Sequence, residues 1–321
     1  MNVTVQDILS ARGVLRRYLA PTPLYRHPLL SARLGFDAYV KHENHLPMGA
    51  FKIRGGLNLF ANLGERELKH GVIAPTRGNH GLSLAYAARH FGSRCLIYVP
   101  RNNNPEKNVL IQALGAEVVE FGRDFDDARL EAEARAKTDG LRMVHPGNEP
   151  LLVAGVGTLA LEVAESLPEL DAIIVPMGSG TCAAGIVVVL RALLPHVRII
   201  GVQAARAPAL ANSLAQGRLL STDSADTFAG GLATRFAYEL PFALLKGQLD
   251  QVVLVSEEEM RDAVREALET THNVAEGAAA AAYAAARKLR SSLSGKRVVI
   301  VHTGQNTDRN TLRWALGMFD A

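Results

Sequence analysis

The stretch from residue 172 to 190, AIIVPMGSGTCAAGIVVVL, decides the fold. It begins with a continuous apolar run, which is typical of a strand buried on both faces of a parallel sheet. We expect this strand to end at Met177 and a helix to begin near Thr181. Three small residues form the turn between them, namely Gly178, Ser179 and Gly180. Because backbone N–H groups at a helix N-terminus bind anions, the turn is either a phosphate site or a tight connection without a ligand.

Six more apolar runs of this kind occur along the chain, separated by helical patterns. The runs are GVIAP, CLIYVP, EVVEFG, RIIGVQA, QVVLVS and RVVIVHTG. The helical patterns include HGLSLAYAARHFG, DDARLEAEARAKTDG, the alanine-rich AEGAAAAAYAAARK and SEEEMRDAVREALE. In the last of these, Ser256 and Glu259 have the spacing of a capping box. This alternation predicts an α/β fold with open parallel sheets flanked by helices.

Composition and charge are those of an ordinary globular protein. Of the 321 residues, 48% are hydrophobic and 21% are charged, and the formal net charge is +3. Basic and acidic residues are interspersed, so we expect no nucleic-acid partner. The amino terminus lacks a signal-peptide pattern and no apolar run could span a bilayer, so we expect no membrane association. Cys95 and Cys182 lack the spacing of a zinc site or a disulfide framework, which favours a cytoplasmic protein.

Two further segments place polar residues at the ends of strands. In APTRGNHGLSLAYAA, Asn79 and His80 follow a strand, and ligands of open α/β sheets bind at that edge. Asn79 could equally serve only as the N-cap of the next helix. In VVIVHTGQNTD, the strand ends at Thr303 and Gly304, and the threonine hydroxyl could contact a ligand ring or cap a turn. No acidic residue ends the strand IIGVQA, which argues against a dinucleotide site.

A fourth segment, residues 43–56, contains a lysine in a glycine-rich setting. Its sequence is ENHLPMGAFKIRGG, with Lys52 directly after Phe51. A lysine in this position can be a surface charge or a reactive amine, and the segment alone leaves both possibilities open.

Together the four segments resemble the fold-type II pyridoxal-phosphate enzymes, specifically the serine/threonine dehydratase and serine racemase group. The lysine segment is similar to that group's E-N-x-x-x-T-G-S-F-K-x-R-G, TRGNHG to its S-x-G-N-H loop, GSGT to its tetraglycine loop and HTGQN to its S-G-G-N. The resemblance runs from about Thr22 to Asp308. It implies a two-domain fold of the tryptophan synthase β type. Its large domain would comprise residues 1–70 and 147–321, its small mobile domain residues 71–146, with the cofactor between them.

The resemblance also implies roles for individual residues. Lys52 would hold pyridoxal 5'-phosphate as a Schiff base and later remove the substrate Cα proton. Asn79 would bond the ring hydroxyl and Thr303 would face the ring nitrogen. The other cofactor contacts would be Phe51, Gly178, Ser179, Gly180, Thr181 and Glu276. The substrate-binding residues would be Thr76, Arg77, Gly78, Asn79 and His80.

The implied reaction is the conversion of a 3-hydroxy amino acid to a 2-oxo acid and ammonia by β-elimination. Threonine and serine are the usual substrates of the group. A bulkier or more acidic substrate, such as 3-phenylserine, 3-hydroxyaspartate or a hydroxyectoine breakdown product, stays open. Because Thr303 is neutral, we expect a mostly unprotonated ring, which favours elimination over transamination. Members of the group are often dimers, so we expect a homodimer.

Several positions depart from the pattern of the group. Arg77 replaces the serine that supplies the second proton in serine racemase, and a guanidinium is a poor proton donor at neutral pH, so racemisation is disfavoured. Arg77 could instead clamp a carboxylate or stack on an aromatic ring, or it could face solvent or pair with a nearby acid. Gln203 and Ala209 stand where the group has cation-binding acids, so we expect no metal site. Ala50 removes a hydroxyl near the cofactor.

In the phosphate loop, Ser179 and Thr181 stand where glycines are usual and could add hydroxyl donors. The end of the sequence soon after Asp308 leads us to expect no amino-acid-sensing regulatory domain.

Other functions are also compatible with parts of the sequence. A racemase or a β-replacement enzyme of the same fold is the nearest alternative. A non-catalytic protein that binds a phosphate ligand is disfavoured because a binder needs no imine-forming amine. A nicotinamide-dependent oxidoreductase is disfavoured by the missing ribose-binding acid.

Overall fold

The computed structural model describes residues 2–101 and 103–318, and within these ranges it contains ten β-strands and fourteen α-helices. The strands are β1 (Leu24–Arg26), β2 (Asp37–His42), β3 (Val72–Pro75), β4 (Cys95–Val99), β5 (Glu117–Glu120), β6 (Arg142–Met143), β7 (Ala172–Pro176), β8 (Arg198–Ala204), β9 (Gln251–Val255) and β10 (Arg297–His302). The helices are α1 (Val5–Leu15), α2 (Pro28–Leu34), α3 (Ile53–Ala61), α4 (Glu65–His70), α5 (Asn79–Phe91), α6 (Pro105–Ala113), α7 (Phe125–Asp139), α8 (Pro150–Ser166), α9 (Thr181–Leu193), α10 (Ala209–Gln216), α11 (Glu239–Leu245), α12 (Glu257–Thr271), α13 (Gly277–Lys288) and α14 (Arg309–Ala315).

The strands form two sheets. The larger sheet has the order β1-β2-β10-β7-β8-β9, and every neighbouring pair is parallel except the antiparallel edge pair β1 and β2. The smaller sheet has the order β5-β4-β3-β6 and is parallel throughout. Helices cover both sheets, and α3 packs against α5 and α8. The predicted α/β class with open parallel sheets flanked by helices is confirmed.

All seven runs predicted as strands form strands, namely β3, β4, β5, β7, β8, β9 and β10. The strand β7 ends at Pro176 rather than at Met177, although the N–H of Met177 still bonds the carbonyl of Val202 at 2.7 Å. Strand β10 ends at His302, one residue before the predicted end. The predicted capping box is present, with Glu259 N–H donating to Ser256 Oγ at 3.2 Å.

The sequence missed three strands for identifiable reasons. Strands β1 and β6 have three and two residues, too few for a recognisable pattern. Strand β2 carries the polar residues Lys41 and His42 at its buried end, where an apolar run is the usual signal. The side chain of Lys41 is tolerated there because it forms an ion pair with Glu162.

The alanine-rich helix α13 is buried on every side, as expected for a closely packed helix. It lies against β7, β8, β9, β10 and α12, and the alanines from 278 to 286 are 6% exposed or less. Small side chains allow this close approach from several directions. In the described part of the chain, no helix combines the length and hydropathy needed to cross a bilayer.

Candidate active site

A cavity opens at the carboxyl ends of β3, β7 and β10. Pro75 and Pro176, which end β3 and β7, contribute to its wall, as does Thr303 just beyond β10. This is the edge of parallel sheets at which ligands bind. The cavity brings together all thirteen site residues expected from the sequence, namely Phe51, Lys52, Thr76, Arg77, Gly78, Asn79, His80, Gly178, Ser179, Gly180, Thr181, Glu276 and Thr303.

Lys52 lies immediately before α3, and its backbone is held firmly. Ser83 Oγ donates to the Lys52 carbonyl at 2.6 Å, while the N–H of Phe51 donates to the carbonyl of Thr303 at 3.0 Å. The amine Nζ lies 5.1 Å from the centre of the Phe51 ring. Nζ makes no hydrogen bond or ion pair with any described residue, so it is available to a ligand.

Burial changes the ionisation of this amine. Removal from water lowers the pKa of Lys52 to about 8, although the nearby Cys182 and Glu276 oppose the shift. A desolvated ammonium is destabilised relative to the neutral amine. A substantial fraction of the Lys52 side chain is therefore neutral near physiological pH, as an imine-forming amine or a base requires.

The turn from Gly178 to Thr181 is shaped to receive an anion. Gly180 has a φ of +91°, and a Cβ on Gly178 would lie 2.0 Å from the carbonyl oxygen of Gly231, so larger residues do not fit at either glycine. The turn leads into α9, whose first turn contains no acidic residue and receives no side-chain cap. Its leading N–H groups therefore face the cavity with the positive end of the helix dipole. Ser179 Oγ donates to the carbonyl of Pro146 at 3.2 Å, so this hydroxyl proton is already engaged.

Asn79 and Glu276 form a hydrogen-bonded pair in the cavity wall. Asn79 Nδ2 donates to Glu276 Oε1 at 2.5 Å, and Asn79 Oδ1 accepts from Asn306 Nδ2 at 2.9 Å. Helix α5 starts at Asn79, with Gly78 as its N-cap. The interpretation of Asn79 as the N-cap is therefore wrong, because its side chain turns toward Glu276 instead of its own helix. Lys107 Nζ reaches the second oxygen of Glu276 at 3.3 Å.

Thr303 carries a buried polar atom with no partner. Its Oγ1 makes no hydrogen bond with the described residues, although the side chain is only 3% exposed. The expected alternative, in which this hydroxyl caps the following turn, is therefore wrong. Because an unpaired buried hydroxyl is costly, the observation indicates a partner supplied by a ligand.

The loop from Thr76 to His80 is held by its own side chains. Thr76 Oγ1 accepts from the N–H groups of Gly78 and Gly81 at 2.9 and 3.2 Å. Gly78 has a φ of +150°, and a Cβ there would lie 2.3 Å from Lys107 Cδ, so glycine is required. The ring of His80 lies 3.3 Å from the carbonyl of Val144, and burial lowers the pKa of His80 to about 3. His80 is therefore neutral at physiological pH.

Arg77 is half-buried in the cavity wall. Its guanidinium makes no hydrogen bond or ion pair within the described ranges, and Asp124 acts on it from beyond ion-pair distance. Burial lowers the pKa of Arg77, with Asp124 opposing the shift. Within the described ranges Arg77 forms no ion pair, so the expected alternative of an arginine paired with an acid does not describe this side chain.

Part of the cavity wall was not predicted from the sequence. Lys107 reaches the cavity from α6 across Gly78, and nothing in its local sequence signals this position. The turn from 230 to 234 and the side chain of Tyr238 complete the opposite wall. The glycine pair Gly230-Gly231 was the available signal, since adjacent glycines often mark a close backbone approach.

We expect no metal site at Gln203 and Ala209 from the sequence. In the structure both residues contribute to the hydrogen bonding and packing of the fold. Gln203 Oε1 accepts from the N–H of Ala211 at 2.7 Å, and Ala209 is fully buried at the start of α10. Among the described residues, no group of three or more histidine, cysteine or acidic side chains is arranged to hold a metal ion.

The family model described as "Pyridoxal-phosphate dependent enzyme" matches residues 15–304. The chain belongs to this family. A curated relative, an L-threonine ammonia-lyase of Thermotoga maritima, is 38% identical, and the match covers 97% of this chain and 77% of the relative. A maize serine racemase structure superposes with a TM-score of 0.92 at 27% identity, covering 99% of this chain and 98% of the neighbour. A pyridoxal 5'-phosphate-dependent aspartate racemase has a TM-score of 0.91 at 27% identity, with 97% and 98% covered.

Membership of this family confirms three expectations from the sequence. The chain is a fold-type II enzyme of the serine/threonine dehydratase and serine racemase group, its cofactor is pyridoxal phosphate, and it is a lyase. The cavity fits the cofactor by its own chemistry. It contains an unpaired amine at Lys52, an uncapped helix N-terminus beyond Gly178 and an orphaned buried hydroxyl at Thr303.

Proposed function

We propose that the chain is a dehydratase that converts a 3-hydroxy amino acid to a 2-oxo acid and ammonia by β-elimination. The main supporting observation is the Lys52 amine, which has no partner among the described residues and whose pKa burial lowers to about 8, in a cavity that also offers an anion-binding turn. The ammonia-lyase relative supports this reaction class, and threonine is the substrate in that relative's name. Threonine, serine or a bulkier analogue would be the substrate here.

Four groups of residues would hold the cofactor. Gly178, Ser179, Gly180 and Thr181 would bind the phosphate, mainly through backbone N–H groups at the start of α9. Thr303 Oγ1 would pair with the ring nitrogen, and Phe51 would lie beside the ring. The pair formed by Asn79 and Glu276 would lie near the ring hydroxyl. The bound cofactor would supply an aldehyde that condenses with amines and a ring that takes up the electron pair left at Cα.

Lys52 would be the catalytic base. Its Nζ would remove the substrate Cα proton, and a pKa of about 8 leaves enough neutral amine to do so near physiological pH. Loss of the 3-hydroxyl as water, followed by hydrolysis, would give the 2-oxo acid and ammonia.

The N-terminus of α5 would hold the substrate α-carboxylate. The side chain of Thr76 fixes the preceding loop, and the N–H groups of Asn79 and His80 occupy the first turn, where no carbonyl of the helix can accept from them. A carboxylate there would gain both hydrogen bonds and the favourable helix dipole.

Two residues favour elimination over racemisation. Arg77 stands where a second proton donor would be needed, and a guanidinium does not release its proton at neutral pH. Thr303 is neutral and would leave the ring nitrogen unprotonated, so that the Cα electron pair is better used to expel the hydroxyl.

We also propose that residues 1–70 with 147–321, and residues 71–146, form two domains that close over the substrate. The two separate sheets support this division. Arg235 forms ion pairs with Asp124 and Asp126 at 3.1 and 3.5 Å, and these would join the two domains at the cavity mouth. Closure would exclude water from the reaction. The expected homodimer remains a proposal that light scattering tests.

The test is product formation from a panel of 3-hydroxy amino acids, each supplied as separate stereoisomers. The cofactor-loaded protein should release 2-oxo acid and ammonia in equal amounts from at least one of them, and Lys52→Ala should release neither. Chiral analysis of recovered substrate tests for racemase activity, and added thiols test for β-replacement. Racemised substrate or a thioether, without 2-oxo acid, would refute the dehydratase assignment.

A further inference from the structure

Arg77 offers a charged group that the proposed reaction does not use. Its side chain lies along the glycine turn opposite its own loop, with Nε 4.0 Å from the position that a Cβ on Gly230 would occupy. The side chain thus extends from its own loop toward the glycine turn of the opposite wall. Arg77 and Gly230 both line the cavity, so a ligand group bound there can reach the guanidinium.

Three acids near Arg77, namely Asp124, Asp126 and Glu276, already have other partners, and the two acids that share a neighbouring surface groove with it, Asp223 and Asp226, form no ion pair with Arg77. Asp124 caps α7 through two backbone N–H groups and forms an ion pair with Arg235 at 3.1 Å. Asp126 has Arg235 at 3.5 Å. Glu276 accepts from the two side chains described above. A half-buried guanidinium with no acceptor is unfavourable, and a carboxylate is the planar partner that matches its donors.

A substrate α-carboxylate does not meet this need. The free N–H groups at the start of α5 receive it in the proposed binding mode, and Lys52 and the cofactor receive the amine. Arg77 precedes those N–H groups by two residues and projects toward the glycine turn. It is therefore placed to contact the substrate side chain.

Resting on the proposed function, we propose that Arg77 is a specificity-determining residue and that the substrate is a 3-hydroxy amino acid with a second carboxylate on its side chain. The guanidinium binds that carboxylate through two parallel hydrogen bonds. A substrate ending in a methyl group or hydrogen leaves the arginine desolvated and unpaired. Sites built to pair a polar substrate group strongly reject analogues that lack it.

The first measurement compares kcat/KM for 3-hydroxyaspartate and threonine in the wild type, Arg77→Ala and Arg77→Lys. We expect the wild type to prefer the dicarboxylate by about 100-fold or more. Arg77→Ala should lower kcat/KM for the dicarboxylate by about 100-fold and that for threonine by less than about threefold. The kcat/KM of Arg77→Lys for the dicarboxylate should lie between the values for the wild type and Arg77→Ala, because lysine keeps the charge but lacks the planar pair of parallel donors. Arg123→Ala is the matched control, since Arg123 is exposed near the mouth and its loss should change neither value.

A binding measurement separates this proposal from the reaction itself. Aspartate and alanine lack the 3-hydroxyl, so their dissociation constants, measured by calorimetry, report recognition without elimination. The wild type should bind aspartate about 50-fold more tightly than alanine, and Arg77→Ala should reduce the ratio to about threefold or less.

Equal losses with both substrates would place Arg77 on the α-carboxylate and overturn the proposal, as would unchanged values or a wild-type preference for threonine. Absence of 2-oxo acid from every substrate would refute the proposed reaction, while the aspartate-to-alanine ratio would still decide the role of Arg77.

Discussion

Arg54, two residues after the reactive lysine, supports the sharpest stability prediction. It is 2% exposed and makes six hydrogen bonds, to the side chains of Thr22, Glu43, Thr158 and Glu162. Lys41 adds a second buried cation beside Glu162, so two bases neutralise two acids. Arg54→Met removes one base and leaves a buried carboxylate without compensation. We expect a loss of about 3–5 kcal/mol in the free energy of unfolding.

The pH dependence of that loss identifies its cause. In the variant, Glu162 keeps Lys41 as a partner, and burial raises the pKa of the network carboxyl left without a cation above its unfolded value. The folded state then binds a proton that the unfolded state lacks, so the stability of the variant relative to the wild type rises as pH falls through that folded-state pKa. Each pH unit over which this applies restores about 1.4 kcal/mol. The deficit should therefore be smaller at pH 5 than at pH 8.

Urea unfolding at both pH values measures these differences. Arg94→Met is the matched control, because Arg94 pairs with Glu117 at the surface, where both side chains are about half exposed. Such a pair contributes less than about 1 kcal/mol. A deficit below 1 kcal/mol for Arg54→Met, or one that does not change between pH 8 and pH 5, would refute the reasoning.

Three further predictions concern the cofactor site and the buried histidines. Gly178→Ala should weaken pyridoxal-phosphate binding by about tenfold or more in a fluorescence titration, because its Cβ would lie 2.0 Å from the Gly231 carbonyl. The control Gly13→Ala, in open space on α1, should leave binding unchanged, and equal effects of the two substitutions would contradict this prediction. Thr303→Val should not lower the Tm of the cofactor-free protein, because Oγ1 has no partner among the described residues, but it should weaken cofactor binding by about 2–13-fold. A lower Tm of the cofactor-free variant would count against the role of this hydroxyl. Burial lowers the pKa of His42 to about 3, below its unfolded value, so the free energy of unfolding should fall as pH falls from about 6.5. His42→Asn should make the dependence of that free energy on pH shallower by about 1.4 kcal/mol per pH unit between pH 6 and 4, and identical slopes for variant and wild type in urea unfolding would contradict this.

Most of the fold was predictable because its strands are apolar and parallel. Five of the seven predicted strands, namely β3, β4, β7, β8 and β10, are interior strands of the two sheets, where burial on both faces leaves a continuous hydrophobic run. Strand β2 escaped prediction because Lys41 and His42 interrupt that signal. The burial of Lys41 depends on Glu162, which lies 121 residues away and so outside any local pattern.

The candidate site was predictable for a different reason. The carboxyl ends of parallel strands share one edge, so the segments after β3, β7 and β10 converge on one cavity with Lys52. The pairing of Asn79 with Glu276 and the reach of Lys107 across Gly78 were not predictable. Both depend on how the helices pack against one another, and neither follows from spacing along the chain.

The central claim is that Lys52 alone forms the covalent bond to the cofactor, although Lys107 lines the same cavity. Borohydride reduction of the cofactor-loaded protein, followed by peptide mass spectrometry, tests this directly. The account predicts a pyridoxyl-phosphate mass on the peptide containing Lys52 and on no other peptide, and its loss in Lys52→Ala. A label on Lys107, or an unlabelled Lys52 in protein that has taken up the cofactor, would contradict it.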